Sequence, residues 1–225
     1  MLYRIKKRVR QLTMYTYPII LFFIGTIFPR IANAQRDNEG FVLVKKEGSI
    51  ALYERWLTYP SSNPPTKARE VKGEFYYNNN TIAAGLRLLK DESRIKQWQS
   101  HVSEFKVYSL RDTSTWMEYS YHEIPWPVSD QDHFMEYKVS RNEMGRVLTV
   151  SFKSKVSDSL APVREGVTRM QLTGSWTLEQ VSSSRVKVTY RIVSKPIGIP
   201  KVFTDPIIRS NIITTIQEYI GLLEK

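Results

Sequence analysis

Residues 121–132 read YHEIPWPVSDQD and hold the most specific pattern in the chain. A β-rich run ends here in a Pro-Trp-Pro turn, and a second β-rich run follows it. Because proline restricts φ, the two prolines define the backbone on both sides of Trp126, whose large ring we expect to pack beneath the turn. Ser129, Asp130 and Asp132 can accept hydrogen bonds from turn amides. The motif predicts a well-defined connection between two strands.

Runs rich in β-branched and aromatic residues surround this turn and predict an antiparallel sheet. Strands are expected over 41–46, 50–57, 68–77, 104–110, 114–124, 133–140, 147–155, 167–180 and 186–193. Within 167–180, apolar side chains such as Leu172 and Trp176 alternate with polar ones such as Thr173 and Thr177. One face of this strand is therefore apolar and must be covered.

Three stretches have helical spacing. The first follows a cap at Asn80 or Thr81, and the second covers 92–99. The third closes the chain after Pro200 and Pro206, with an apolar stripe made of Ile208, Ile212, Ile216, Tyr219, Ile220 and Leu223. We therefore predict an α+β helix-grip fold, in which a curved antiparallel sheet wraps around a long C-terminal helix and two short helices follow the third strand.

The turn motif resembles the Pro-Trp-Pro-x-Ser-x-Arg-Asp passage of the START (StAR-related lipid-transfer) family, within the Bet v 1-like superfamily. Gln131 stands where that family usually has arginine, which leaves any ion pair of that arginine in doubt. Further similar features are Trp98, the Gly174-Ser175-Trp176 run, Val163-Arg164, and the 196–200 run PIGIP. The resemblance extends over roughly residues 40 to 224, almost the whole of one ordinary domain.

The resemblance implies a tunnel between the sheet and the C-terminal helix that holds one hydrophobic molecule, such as a lipid or a sterol-like compound. We expect a monomeric carrier whose partners are this ligand and, transiently, a membrane surface. Entry requires a lid. The candidates are the loop 156–165, which offers few packing residues, and the terminal helix, hinged between 196–198 and 205–206.

Strand parity and the helix stripe select the residues that we expect to line this tunnel. They are Met117, Tyr119, Met135, Tyr137, Met170, Leu172, Trp176, Phe203, Ile208, Ile212 and Ile216. Arg169, and with it Arg164, is a candidate for meeting a ligand head group, although a solvated arginine is the more ordinary interpretation. For each apolar residue, plain core packing is an equal alternative.

Catalytic and metal-binding patterns are not visible, and nothing points to a cofactor. His101, His122 and His133 are isolated, without HExxH-type spacing. His122 and Glu123 are neighbours on a strand, so they point to opposite faces and do not form a dyad. Two alternatives to a carrier stay open: an enzyme similar to the cyclases and aromatases of the same superfamily, and a non-binding envelope domain whose cavity is filled by its own side chains.

Residues 1–34 have the anatomy of a secretory signal, with five basic residues over 4–10, an apolar stretch over 17–28 and the sequence Ala32-Asn33-Ala34. We expect cleavage near Ala34, one domain over 35–225, and export to the periplasm or beyond. An uncleaved anchor is the alternative, but the apolar run holds Pro18 and Gly25 and falls short of the roughly 20 residues that span a bilayer.

Charge and cysteine content narrow the class of protein. Six of the 33 basic residues and none of the acids lie in 1–34, so removing this segment lowers the net charge from +11 to +5. The remaining charge is scattered and shows no basic stripe, which argues against a nucleic-acid partner. The absence of cysteine excludes disulfides and thiol chemistry.

Overall fold

The computed structural model describes residues 36–59, 66–110, 112–126, 128–194 and 201–225. In chain order the elements are β1 (Val42–Glu47), β2 (Ile50–Tyr59), β3 (Thr66–Asn78), α1 (Ile82–Leu89), β4 (Val102–Ser109), β5 (Thr115–His122), β6 (Gln131–Arg141), β7 (Val147–Ser154), β8 (Thr168–Arg169), β9 (Leu172–Ser182), β10 (Arg185–Ser194) and α2 (Lys201–Leu223). The predicted leader, the stretch 60–65 and the predicted hinge 196–198 lie outside the described residues.

The strands form a single curved sheet in the order β1-β2-β3-β10-β9-β7-β6-β5-β4. All neighbours in this path are antiparallel, and β8 pairs with β6 in parallel. Chain-adjacent strands β3 and β4 lie far apart in the sheet, because β10 returns beside β3. The helix-grip prediction is confirmed: the long helix α2 packs against β2 and β3 on the inner face.

The C-terminal half of α2 is packed into the core. Tyr219 and Leu223 are buried there, and the Tyr219 hydroxyl donates to the Gly85 carbonyl at 2.9 Å. Helix α1 starts at its predicted cap, where the Thr81 side chain accepts from the Ala84 amide. Helix α2 begins at Lys201, directly after Pro200, so that Pro206 lies inside the helix and not before it.

Two predicted elements differ from the structure. The helix expected over 92–99 is a single 3-10 turn at Ile95–Gln97. The strand expected over 167–180 divides into β8 and β9, because Ser154 interrupts the ladder: its hydroxyl donates to the Met170 carbonyl at 3.3 Å and accepts from the Leu172 amide at 2.7 Å. A side chain thus takes the place of strand pairing at this point.

The Pro-Trp-Pro turn agrees with the prediction at Asp130 and departs from it at Trp126 and Asp132. The Asp130 carboxylate accepts from the Ile124 amide at 3.0 Å, as predicted, and also from the Tyr121 hydroxyl at 2.7 Å. Asp132 instead pairs with Arg169. Trp126 does not pack beneath the turn, since the residue is 91% exposed. The tryptophan is therefore free to contact something outside the domain.

Candidate functional site

A cavity of about 310 Å³ lies between the concave face of the sheet and the N-terminal half of α2. Its walls come from β2, β3, β5, β6, β7, β9, β10 and α2, together with the turn after β5. Gly174 on β9 leaves space for the Phe152 ring and for the backbone of β10, because a Cβ at this position would lie 2.0 Å from the Arg191 carbonyl oxygen and 2.5 Å from the ring of Phe152. Phe152 itself lines the cavity.

Aromatic packing closes the other half of the space between sheet and helix. Trp98 meets Trp176 and Tyr219 edge to face, with ring centroids 6.2 and 5.1 Å apart, and the tilted pair of Trp176 and Tyr219 is 5.4 Å apart. Phe75 and Tyr77 add edge-to-face contacts to this group. Such contacts add specific geometry to apolar burial. The cavity therefore ends where this cluster begins, and the cluster anchors the C-terminal half of α2.

The structure brings most of the predicted lining residues together. Eight of them border the cavity: Met135, Tyr137, Met170, Leu172, Trp176, Ile208, Ile212 and Ile216. Phe203 lies in the first turn of α2, where the backbone alone is described. Whether these residues bind a ligand stays a prediction.

Met117 and Tyr119 do not border the cavity, so the strand-parity prediction is wrong for β5. They lie on the outer face of the sheet in a small cluster with Phe134 and Ala161. The prediction chose the more apolar face of β5 as the inner one, but both faces of this strand are covered. The inner face carries the buried Trp116 and, at every second position after it, the polar residues Glu118, Ser120 and His122.

The loop 156–165 covers this outer cluster, so the structure contradicts its prediction as a lid. Ala161 is buried against Tyr119 and Phe134, and Arg169 fastens the loop by donating to the carbonyls of Ala161 and Pro162 at 3.1 and 3.2 Å. The loop lies on the convex side of the sheet, away from the cavity. Of the two predicted lids, α2 is the one that lies beside the cavity.

Arg169 is likewise outside the cavity. Its guanidinium forms a two-pronged ion pair with the buried Asp132, at 2.6 and 2.9 Å. Arg164 pairs with Glu104 at the surface. Neither arginine meets a ligand in the cavity, because both are committed to carboxylates on the other face.

The polar end of the cavity lies on β5 and β6 and was missed by sequence reasoning. Glu118 is 2% exposed, accepts from the Tyr137 hydroxyl at 3.1 Å, and has the His133 Nε2 atom at 3.5 Å. Burial raises the pKa of Glu118 to about 8, against a smaller opposing effect of the Tyr137 hydrogen bond. The carboxyl group is therefore protonated at neutral pH.

His133 lies beside this carboxyl group, and His122 lies farther along β5, with the centroids of the two imidazole rings 5.2 Å apart. Burial lowers the pKa of His122 to about 3, helped by the nearby His133. Burial likewise lowers the pKa of His133 to about 4. Both imidazoles are uncharged at neutral pH, so the three titratable groups form a hydrogen-bonding but neutral surface.

A second polar group lies on the other side of the cavity, where α2 meets β2 and β3. Glu54 bonds to Arg69 and, with both oxygens, to Arg209 at 2.8 and 3.0 Å. Asp205 accepts from Arg69 at 2.8 Å and from Arg209 at 3.4 Å. We call these four residues the helix-binding ion network, because they tie the N-terminal half of α2 to the sheet.

The only signal for the polar end in the sequence is the alternation of Glu118, Ser120 and His122 on β5. That alternation could be recognised as cavity-facing only with the register of β5 against β6, which places Ser120 opposite His133 and Glu118 opposite Met135. Within the described ranges, no group of three His, Asp or Glu side chains is arranged to hold a metal ion. In the same part of the chain, no helix has the length and apolarity needed to cross a bilayer.

Comparison with solved structures assigns the fold. A STAR-related lipid transfer protein from Xanthomonas axonopodis superposes with a TM-score of 0.68 and 24% identity, over 83% of this chain and 99% of that one. The human StAR-related lipid transfer protein 5 superposes with a TM-score of 0.65 and 15% identity, over 84% and 88% of the two chains. This chain has the START fold.

Sequence comparison adds one relative. An uncharacterized protein of Pseudomonas aeruginosa is 24% identical over 163 residues, which cover 71% of this chain and 74% of that protein. No family model matches the chain. Gln131 borders the cavity, and the neighbouring Asp132 forms an ion pair with Arg169 on the other face of the sheet.

Proposed function

We propose that this protein is a carrier that binds one hydrophobic molecule in the cavity between the sheet and α2. The observation that carries the proposal is the cavity itself, about 310 Å³ in volume and walled mostly by apolar and aromatic side chains. Burial of apolar ligand surface contributes about 25 cal/mol per Å², so a dry cavity can compete with a membrane for a lipid. The two similar structures described above are named lipid transfer proteins, which supports the same class of ligand here.

The leader-like segment 1–34 supports export, and we propose that the carrier acts in the envelope or outside the cell as a monomer. Loading then takes place at a membrane surface. Trp126 supports this step, because it is almost fully exposed on a turn whose flanking residues Ile124 and Val128 border the cavity. Exposed tryptophan favours the boundary between membrane and water.

Native mass spectrometry of the domain purified from its own host tests the carrier function. We expect one lipid class at one molecule per chain, released by denaturation. The variant Ile212→Trp fills the cavity from α2 and should abolish the bound mass, whereas Thr214→Trp, on the exposed side of the same helix, should keep it. A wild-type protein that stays empty when lipids are offered contradicts the proposal.

Transfer of a fluorescent lipid between vesicles tests the membrane step. We expect Trp126→Ala to slow transfer about tenfold while equilibrium binding of the lipid is unchanged, because the variant removes only an exposed ring. Met144→Ala is the matched control, since Met144 is 78% exposed on the hairpin turn at the opposite end of β6. Equal rates for the two variants would assign loading to another surface.

An enzyme similar to cyclases and aromatases is a second candidate function, favoured by one observation. A protonated carboxyl group, Glu118, and two neutral imidazoles border the cavity and could exchange protons with a bound ketone. Incubation of the protein with hydrophobic polyketones, followed by mass spectrometry of the products, distinguishes the two. A carrier returns the ketone unchanged.

A further inference from the structure

The polar end of the cavity has a specific hydrogen-bonding character. Glu118, His133 and Tyr137 all border the cavity. The Tyr137 hydroxyl and the His133 Nε2 atom lie 3.1 and 3.5 Å from the same carboxyl oxygen of Glu118. These three residues come from two neighbouring strands, β5 and β6, whose register is regular at this point. The groups are therefore held by the sheet and not by a loop, so they form a rigid polar surface inside an otherwise apolar space.

Charge is the second feature of the cavity. Among the described lining residues, Arg69 is the single side chain with a guanidinium or ammonium group. Its charge is paired, because its two terminal nitrogens bond to Glu54 and Asp205, and its Nε atom is buried without a hydrogen-bond partner. Phosphate groups in proteins are typically held by cationic side chains in charge-assisted hydrogen bonds. The described walls offer an anionic head group no unpaired cation.

From these two features we propose that the ligand carries an uncharged oxygen-bearing head group, an alcohol or a ketone, and that Glu118, His133 and Tyr137 form the subsite that receives it. This inference rests on the proposed carrier function and adds the class of ligand. The apolar body of the ligand lies toward Met170, Leu172 and Ile212. A protein with this subsite selects neutral amphiphiles against phospholipids.

Physical chemistry gives the reason for the selection. A protonated Glu118 donates a hydrogen bond to a hydroxyl or carbonyl oxygen, and a neutral imidazole can donate or accept one. Transfer of an anionic head group into the same space leaves its charge without a partner, which is costly at low dielectric constant. A hydrocarbon without a head group leaves the polar groups of the subsite unsatisfied when it excludes water from them.

A set of ligands with one tail and three heads tests the inference: decane, decanol and decyl phosphate. Binding to the exported domain is followed by quenching of cavity tryptophan fluorescence and by native mass spectrometry. We expect decanol to bind about tenfold more tightly than decane, as one good hydrogen bond would give, and decyl phosphate to bind at least tenfold more weakly than decanol. This comparison uses the wild-type protein and does not depend on the folding of a variant.

Variants locate the preference in the subsite. Glu118→Leu should remove the preference for decanol over decane, whereas Glu118→Gln, which keeps a donor and an acceptor, should retain most of it. Met117→Leu, a volume-conserving change next to Glu118 on β5 but on the outer face of the sheet, is the control and should leave the preference unchanged. If none of the three ligands binds, the carrier function fails. If decyl phosphate or decane binds as well as decanol, the carrier function stands and the neutral-head-group inference is overturned.

Discussion

Two glutamates on the inner face of one sheet, Glu54 and Glu118, have opposite electrostatic surroundings. Both are almost completely buried, at 6% and 2% exposure. Burial acts to raise the pKa of Glu54, but hydrogen bonds from Arg209 and Arg69 outweigh it and keep that pKa below its ordinary value. Glu118 has no cationic partner, and burial raises its pKa to about 8. The same side chain is thus an anion on β2 and a neutral acid on β5.

The difference separates a polar group that holds the structure together from one that we propose to meet a ligand. The charges of the helix-binding ion network are satisfied by one another, and their geometry fastens α2 to β2 and β3. The Glu118 group leaves hydrogen-bonding capacity directed at the cavity. Removing one partner of a buried ion pair strongly lowers the free energy of unfolding, because it leaves a buried charge unpaired. A buried neutral acid carries no such cost as long as it keeps its proton.

The strongest test of the comparison applies one substitution at both sites. Glu54→Gln leaves Arg69 and Arg209 without their shared carboxylate, and we expect it to lower the free energy of unfolding by about 3 to 5 kcal/mol. Glu118→Gln replaces a neutral acid by a neutral amide that has no proton to lose in the unfolded state, so at pH 7 it should leave that free energy unchanged or raise it. Urea unfolding measures both. Equal losses would show that the two carboxyl groups do not differ in charge.

A second test uses the pH dependence of stability. The folded pKa of Glu118 lies above its unfolded value, so its stabilising contribution is complete below about pH 4.5 and is lost as the pH rises toward 8. His122 and His133 have folded pKa values of about 3 and about 4, below the unfolded value of 6.5, so their contribution is present above pH 6.5 and is lost as the pH falls. We expect these three groups to give maximal stability near pH 6.5.

Between pH 6.5 and 8 the Glu118 contribution should lower the free energy of unfolding by about 2 kcal/mol, at about 1.4 kcal/mol per pH unit. The other titratable groups that face Glu118 are Tyr137 and His133 on β6, His122 on β5 and Tyr190 on β10. The two tyrosines have raised pKa values and the histidines are already neutral in this range. Denaturant titrations of Glu118→Gln should therefore lack the alkaline decline. A decline that persists in the variant would assign it to another group.

The smallest expected effect concerns the helix-binding ion network. Arg209→Lys keeps the charge but loses the two-pronged contact with Glu54, and we expect it to cost about 1 kcal/mol. Hydrogen exchange should then accelerate in the part of α2 around residues 205–212 and stay unchanged around Tyr219, which is anchored in the aromatic cluster. Uniform acceleration along α2 would indicate that the helix opens as one unit and that the ion network does not divide it.

Much of the fold was predictable because its signals are local. The period-two alternation of β9 and the helical stripe of α2 were read from neighbouring residues, and the structure confirms the helix-grip arrangement. The exposed Trp126 and the outer position of the loop 156–165 were not predictable in this way. An apolar residue in a turn carries no local sign of whether it is covered, and the patch that covers Ala161 belongs to distant strands.

The sequence by itself determined the order of strands and helices, the apolar faces of β9 and α2, and eight residues that border the cavity. Only the tertiary structure decided which face of β5 meets that cavity and which buried glutamate has a cation beside it. Glu54 and Arg209 are 155 residues apart in the chain, and Glu118 and Tyr137 are 19 apart. Electrostatic character depends on such long-range neighbours and on burial, whereas hydrophobic periodicity depends on residues a few positions away.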